Sequence, residues 1–207
     1  FGATSLHIVV VTTSCNMCCV YCQAKSDETC HGGIMKRDTA EKVVETILDS
    51  PNQHLTVEFQ GGEPLLNYPI IQYIIEEINK KGTGKDIAFS VVTNLTLLTD
   101  EMVTFFVKHK VGLSTSIDGD ESIHNANRPY RDGSATFFDV MSAVTRLRKA
   151  GLCVSAIETT TRRTLQDPRM VIDAYCNLGF HSIFLRPLSP LGCAGRHWDD
   201  IGYSAEE

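Results

Sequence analysis

The sequence has little of what marks a membrane, secreted or nucleic-acid-binding protein. No apolar run approaches the roughly 20 residues that a membrane-spanning helix needs. The 19 basic residues are outnumbered by 25 acidic ones, and a net charge of −6 argues against binding a nucleic acid or a membrane surface by bulk positive charge. The first apolar run lacks the basic flank of a signal peptide. We therefore expect neither a nucleic acid nor a membrane as a partner.

Cysteine is sparse outside one short segment. Four of the eight cysteines lie within residues 15–22, and the other four are scattered along the chain. This pattern does not resemble the disulfide framework of a small secreted protein, and it fits a reducing compartment. We therefore expect a cytoplasmic location. The 207 residues, 43% of them apolar, suffice for one domain with a full hydrophobic core.

Residues 15–22, CNMCCVYC, directly follow a short β-branched run that predicts a buried strand. Read as Cys-x-x-x-Cys-x-x-Cys, the segment supplies three thiolates from Cys15, Cys19 and Cys22, and it leaves one iron of a cubane open, as a catalytic metal requires. Read as two adjacent Cys-x-x-Cys pairs, it resembles two zinc knuckles. Structural zinc sites usually separate such pairs by about a dozen residues or more. We therefore favour the three-thiolate interpretation, with Cys18 outside the site.

Strand and helix patterns alternate six times along the chain. This order predicts a parallel sheet with right-handed crossovers and helices outside it. Six units are too few for a closed eight-stranded barrel, so we expect an α/β fold with an open, partial (β/α)6 barrel. The predicted strands are Leu6–Val11, Leu55–Phe59, Ile87–Val92, Val111–Ile117, Cys153–Thr159 and Ser182–Leu188, and helices are predicted to begin near Asp38, Asn67, Thr99, Phe137 and Asp167.

Polar or glycine-rich motifs follow several of these strands, at the edge where parallel sheets carry their active sites. After the second strand, residues 61–64 (GGEP) permit close backbone approach and place the carboxylate of Glu63 at the strand end; the alternative is an ordinary glycine-rich turn with an exposed acid. Ser116 and Asp118 leave the fourth strand on one face, because strand neighbours two apart share a side. Their hydroxyl and carboxylate could bind a polar ligand, or they form a turn-capping network around Gly119.

Together these motifs resemble the radical S-adenosylmethionine (radical SAM) superfamily. The resemblance covers nearly the whole chain and rests on the cysteine segment and on residues 59–66, 93–94, 116–119 and 124–133. It is greatest for the peptide and protein maturases whose barrel is followed by a SPASM or twitch domain. Residues 184–190 (FLRPLSP) are further similar to maturases of His-Xaa-Ser peptide systems.

The resemblance implies a TIM-like partial barrel of the radical SAM type and two cofactors. Cys15, Cys19 and Cys22 would hold three irons of a [4Fe-4S] cluster, and S-adenosylmethionine (SAM) would chelate the fourth. Arg128 would bind the SAM carboxylate, a role that suits a permanently charged fork. Leu95 departs from the small residue that is usual after Thr93-Asn94, so the resemblance does not predict the conformation of that turn. The implied cofactor-binding set is Tyr21, Gly61, Gly62, Glu63, Pro64, Thr93, Asn94, Ser116, Asp118, Arg128 and the backbone near Leu188.

The resemblance also implies an enzyme that cleaves SAM reductively and uses the 5'-deoxyadenosyl radical to modify a peptide or protein side chain. A flavodoxin or ferredoxin would supply the electron. Residues 204–207 have the form of a capping box. We therefore expect residues 1–207 to be the radical SAM core, followed by a C-terminal domain with auxiliary iron–sulfur clusters. Two alternatives stay open, namely a small-molecule substrate and a zinc-binding interaction module, and no catalytic residue is assigned.

Overall fold

The structure is a computed structural model that describes residues 4–24, 33–82 and 84–206. Within these residues six strands form one parallel sheet, in which each strand pairs with the next along the chain. The two end strands do not pair with each other, so the barrel is open, and the predicted α/β fold is confirmed. The strands are β1 (Leu6–Thr12), β2 (His54–Gly61), β3 (Asp86–Val92), β4 (Gly112–Ser116), β5 (Val154–Thr159) and β6 (Phe184–Arg186).

Every crossover between strands contains a helix. The five longer helices begin within two residues of the predicted positions. Four short helices and a 3-10 turn at Pro64–Asn67 were not predicted, because one or two turns carry too little apolar periodicity. The helices are α1 (Arg37–Leu48), α2 (Tyr68–Lys81), α3 (Asp100–Lys108), α4 (Glu121–Asn127), α5 (Phe137–Lys149), α6 (Arg162–Gln166), α7 (Pro168–Asn177), α8 (Cys193–Arg196) and α9 (Trp198–Ile201). None of the helices in the described ranges is long and apolar enough to cross a membrane.

The core lies between the sheet and the helices on its outer face. Val57 and Phe59 of β2 are fully buried, whereas the residues that follow each of them, Glu58 and Gln60, are only partly buried. This alternation gives each strand one face towards the helices and one towards the concave side of the sheet. On α2 the apolar residues form one buried stripe, which contains all five isoleucines of the helix: Ile70, Ile71, Ile74, Ile75 and Ile78.

The residues at the predicted helix starts differ in how they cap their helices. Lys36 occupies the N-cap of α1, and Asp38 lies in its first turn. Asn67 is the N-cap of α2, but its side-chain amide donates to the carbonyls of Val11 (2.8 Å) and Met35 (3.1 Å) and therefore ties the helix to the neighbouring segments. Thr99 caps α3 and Asp167 caps α7 with side-chain oxygens that accept from backbone amides. The capping-box pattern near the C-terminus includes residue 207, which lies outside the described residues.

Glu158 gives the fold a testable pH dependence. Its side chain is buried on β5, and only Oε2 has a partner within the described residues, the Thr160 hydroxyl at 2.7 Å. Burial raises its pKa from 4.5 to about 7, and the nearby charge of Asp118 adds to the shift. The carboxyl therefore stabilises the fold fully below about pH 4.5, and that contribution is lost as the pH rises through 7. We expect the free energy of unfolding to fall by about 2–3 kcal/mol over this window.

Urea unfolding of the wild-type chain and of Glu158→Gln, measured from about pH 5 to 8, would check this expectation. The glutamine variant cannot ionise at this position, so its stability should change less with pH than that of the wild type. Parallel pH profiles for the two proteins would contradict it.

Candidate active site

A cavity of about 300 Å³ lies where the C-terminal strand ends meet the cysteine segment. Cys15, Cys19 and Cys22 line it, whereas Cys18 is absent from its described lining. Of the eleven residues that the resemblance assigns to cofactor binding, eight line the same cavity: Tyr21, Gly61, Gly62, Thr93, Asn94, Ser116, Arg128 and Leu188. The other three, Glu63, Pro64 and Asp118, lie behind its wall. The structure therefore brings together motifs from all parts of the chain.

The cysteine segment is held in place largely by backbone contacts. The Cys18 amide donates to the Pro129 carbonyl and the Val20 amide donates to the Asn127 carbonyl, both at 2.9 Å. Met17, just before Cys18, is fully buried. These bonds fix the backbone on both sides of Cys19, which lines the cavity together with Cys15 and Cys22.

The three lining thiols suit an iron–sulfur cluster. Burial raises the pKa of Cys15, and it raises the pKa of Cys19 to about 12 against the opposing influence of Arg128, so metal binding is what would deprotonate these thiols. Three thiolates on one zinc ion would lie roughly 3.8 Å apart. In the described part of the chain no three Cys, His, Asp or Glu side chains converge on a single ion in this way. A cubane takes one thiolate on each of three irons and needs no such convergence.

Gly61 and Gly62 are required by the close approach of β2 to the cysteine segment. The Gly62 amide donates to the Thr12 carbonyl (2.9 Å), and the next amide, that of Glu63, donates to the Ser14 carbonyl (2.8 Å). A Cβ on Gly61 would overlap the Thr12 carbonyl oxygen, and one on Gly62 would overlap that of Ser14. The predicted close backbone approach therefore serves the packing of this turn against the segment that carries the cysteines.

Gly62→Ala should displace the cysteine segment, because the overlapping atoms belong to backbone that cannot rotate away. We expect a loss of about 1–3 kcal/mol in the free energy of unfolding, the usual range for overpacking, together with reduced iron incorporation. Gly33→Ala is the matched control, since a Cβ there would meet no atom of the described residues within 4 Å. Urea unfolding and iron analysis of both variants would check this, and indistinguishable behaviour of the two would contradict it.

Glu63 joins the ends of β2 and β3. Its fully buried carboxylate accepts three hydrogen bonds, from the Leu65 amide (2.9 Å), the Thr93 hydroxyl (2.6 Å) and the Asn94 amide (2.7 Å). Burial raises its pKa, and these bonds oppose the shift. A carboxylate can accept about four hydrogen bonds, so one position remains for a further donor. Its contact with the SAM amine stays a prediction, whereas its role in fixing Thr93 and Asn94 is visible in the structure.

The turn after Thr93-Asn94 accommodates a large residue in an unusual conformation. Leu95 has φ of +65°, a left-handed value that side chains with a Cβ rarely adopt, and its side chain is buried in the core. Nearby, the side-chain amide of Asn94 donates to the side-chain carbonyl of Asn16 (2.9 Å), and its nitrogen lies 3.9 Å from the Cys15 sulfur. The backbone conformation explains why a small residue suits this position, and the turn carries Asn94 to the cysteine segment.

Tyr21 links Arg128 to Asp118. The Tyr21 hydroxyl donates to Asp118 Oδ2 at 2.6 Å and accepts from Arg128 Nη1 at 2.7 Å. Asp118 also accepts from the Asn127 amide and the Thr159 backbone amide, and burial raises its pKa while Arg128 opposes the shift. Asp118 lies beyond the end of β4, so strand alternation does not extend to it and it lies behind Ser116 instead of beside it. Tyr21 and Asp118 therefore hold the Arg128 guanidinium at the cavity wall.

The C-terminal described segment covers the end of the cysteine segment. Leu188 and Ala194 form a small apolar cluster with Tyr21. The Cys193 amide donates to the Cys22 carbonyl (2.8 Å), and a Cβ on the preceding Gly192 would overlap the same oxygen. Nine further residues line the cavity and were not assigned to cofactor binding from the sequence: Met17, Gln23, Ala24, Gln60, Val92, Thr159, Arg186, Pro187 and Ser189. Of these, Gln60, Arg186, Pro187 and Ser189 lie within segments that carry the family resemblance. For Gln23 and Thr159 the available signal was a position beside a cysteine or at a predicted strand end.

The molecule is an open α/β barrel in which the segment after β1 places three cysteines on one cavity, a donor set that suits an iron–sulfur cluster. The Radical SAM superfamily model matches residues 9–174, most of the chain. The chain therefore belongs to the radical SAM superfamily, whose cofactors are a [4Fe-4S] cluster and SAM.

Three similar proteins describe the relationship further. An uncharacterized protein of Methanocaldococcus jannaschii is 27% identical over 89% of this chain and 63% of its own length. The cysteine-type anaerobic sulfatase-maturating enzyme of Clostridium perfringens is 29% identical over 90% of this chain. A solved structure of native anSMEcpe with bound AdoMet and Kp18Cys peptide has a TM-score of 0.81 at 26% identity, covering 90% of this chain. The chain spans 52% and 51%, respectively, of these last two proteins.

Proposed function

We propose that the protein cleaves SAM reductively and uses the resulting radical to modify a side chain of a peptide or protein. The observation that carries this proposal is the single cavity lined by Cys15, Cys19, Cys22 and Arg128. When bound and reduced, the cluster supplies the electron that cleaves the SAM sulfonium to methionine and a 5'-deoxyadenosyl radical. The protein's own residues hold the reactants and exclude competing reactions.

Each wall of the cavity has a distinct part in this proposal. The thiolates of Cys15, Cys19 and Cys22 hold the cluster. The Arg128 guanidinium, oriented by Tyr21 and Asp118, binds the SAM carboxylate as a charged fork. Lining residues at the strand ends, among them Gly61, Gly62, Thr93, Asn94 and Ser116, and the backbone near Leu188, surround the rest of the nucleoside.

A peptide substrate is supported by two observations. The sheet does not close, so the cavity communicates with the concave side of the barrel, along which an extended chain could lie. The relative whose solved structure contains AdoMet and a peptide has the same fold and is 26% identical to this chain. Electrons would come from a low-potential donor such as a flavodoxin or ferredoxin. A C-terminal domain with auxiliary clusters stays a prediction, checked by whether the natural full-length protein holds more iron than one cluster accounts for.

The test is anaerobic coexpression of the natural full-length protein with the peptides encoded beside it. Mass spectrometry should find 5'-deoxyadenosine together with a mass change in one peptide, and Cys15→Ala should abolish both. SAM cleavage coupled to consumption of a small molecule, with every peptide unchanged, would overturn the peptide assignment in favour of the small-molecule alternative. Stoichiometric zinc without iron would overturn the proposal altogether.

A further inference from the structure

Cations dominate the charged lining of the cavity. Its charged side chains are the guanidiniums of Arg128 and Arg186, and no Asp or Glu belongs to the described lining. This is a local reversal of the overall charge, since the chain has 25 acidic and 19 basic residues. A cleft lined by one sign of charge concentrates ligands of the opposite sign.

The two arginines differ in their surroundings. Arg128 is buried, and its guanidinium is linked to Asp118 through Tyr21. Arg186 is the last residue of β6, where it pairs in register with Thr159, and its side chain is exposed. Across the described ranges no hydrogen bond or ion pair of the Arg186 side chain is present. Arg186 therefore offers a complete fork of donors to a ligand in the cavity.

The carboxylate of SAM can form a bidentate pair with only one of these two guanidiniums. Arg128 follows α4, whereas Arg186 ends β6, so the two guanidiniums come to the cavity from different elements. SAM has a single carboxylate, and a bidentate pair already uses both of its oxygens on one fork. Since Arg128 holds that place in the proposed function, Arg186 is left for a second anion.

That second anion would come from the concave side of the sheet. Phe184 lies two residues before Arg186 on the same face of β6 and is 62% exposed. An apolar ring next to an unpaired guanidinium, at the rim of an open barrel, is a surface that suits an acidic residue within a peptide. We propose that Arg186 is a specificity residue that binds the carboxylate of an Asp or Glu side chain of the peptide substrate. This inference rests on the proposed function.

The test is selection from a phage-displayed library of random peptides against the cluster-loaded, SAM-bound, natural full-length protein under anaerobic conditions. The wild type should enrich peptides that share an acidic residue at a fixed distance from a common target residue. Arg186→Gln should lower the affinity for such a peptide by about tenfold to a hundredfold, the usual effect of losing a charge-assisted bond. Arg186→Glu should enrich Lys or Arg at the same position. Arg169→Gln, an exposed arginine on α7 outside the described cavity lining, is the matched control and should change nothing.

SAM affinity, measured by equilibrium dialysis, shows whether Arg186 binds the carboxylate of SAM or that of the peptide. Both Arg186 variants should bind SAM as the wild type does. If Arg186→Gln weakens SAM binding and leaves the peptide profile unchanged, the residue serves the cofactor and the inference is overturned. Enriched peptides that are modified but show no acidic preference would overturn the inference and leave the proposed function standing. A wild-type protein that enriches and modifies no peptide would overturn both.

Discussion

Replacing Cys15, Cys19 or Cys22 by alanine should abolish assembly of the [4Fe-4S] cluster, whereas replacing Cys18 should leave it intact. The three residues line one cavity, and Cys18 is absent from the described lining although it lies next to Cys19 in the chain. A cubane held by three thiolates loses one of its three protein ligands with each substitution, because no other cysteine of the described lining can replace the missing ligand. Iron and sulfide analysis after anaerobic reconstitution, with absorption spectra, would measure the outcome.

Cys18→Ala is a sharp control because it changes the same number of atoms in the same segment. The anchoring bond of Cys18 comes from its backbone amide, so alanine can keep it. Circular dichroism of all four variants should show an unchanged fold, which would separate cluster loss from unfolding. Loss of the cluster in Cys18→Ala with retention in Cys15→Ala would show that the ligand assignment is wrong.

The features predicted best from the sequence are those that depend on local spacing. The order of strands and helices follows from apolar periodicity, and the choice of Cys15, Cys19 and Cys22 follows from spacing within eight residues. Parallel strands necessarily place their C-terminal ends together, so motifs far apart in the chain could be assigned to one site.

What the sequence could not predict depends on tertiary contacts. An acidic residue after a strand is usually exposed, whereas Glu63 and Asp118 are buried with donors just after β3, on α4 and at the end of β5. The left-handed conformation of Leu95 is tolerated because its side chain packs in the core. Arg186 has the pattern of a solvated strand end, and only the cavity distinguishes it from other exposed arginines.

Arg128→Met should weaken SAM binding by about tenfold to a hundredfold and destabilise the fold as well. The first effect is the loss of a charge-assisted hydrogen bond to the cofactor. The second arises because Asp118 is fully buried and would keep its carboxylate without a nearby cation. Breaking a buried pair costs about 3–5 kcal/mol, and we expect about 3 because the Tyr21 hydroxyl lies between the two groups. SAM dialysis and urea unfolding of the apo chain would measure the two effects separately.

The double variant Arg128→Met with Asp118→Asn distinguishes the two roles. Asparagine removes the unpaired charge and can still accept hydrogen bonds, so stability should largely return while SAM binding stays weak. The pH dependence should agree: burial already raises the Asp118 pKa, and loss of Arg128 would raise it further. The stability deficit of the single variant should therefore shrink as the pH falls and protonates Asp118. Recovery of SAM binding in the double variant would show that Arg128 acts only by balancing Asp118, and an undiminished stability in Arg128→Met would show that the buried pair contributes nothing to the fold.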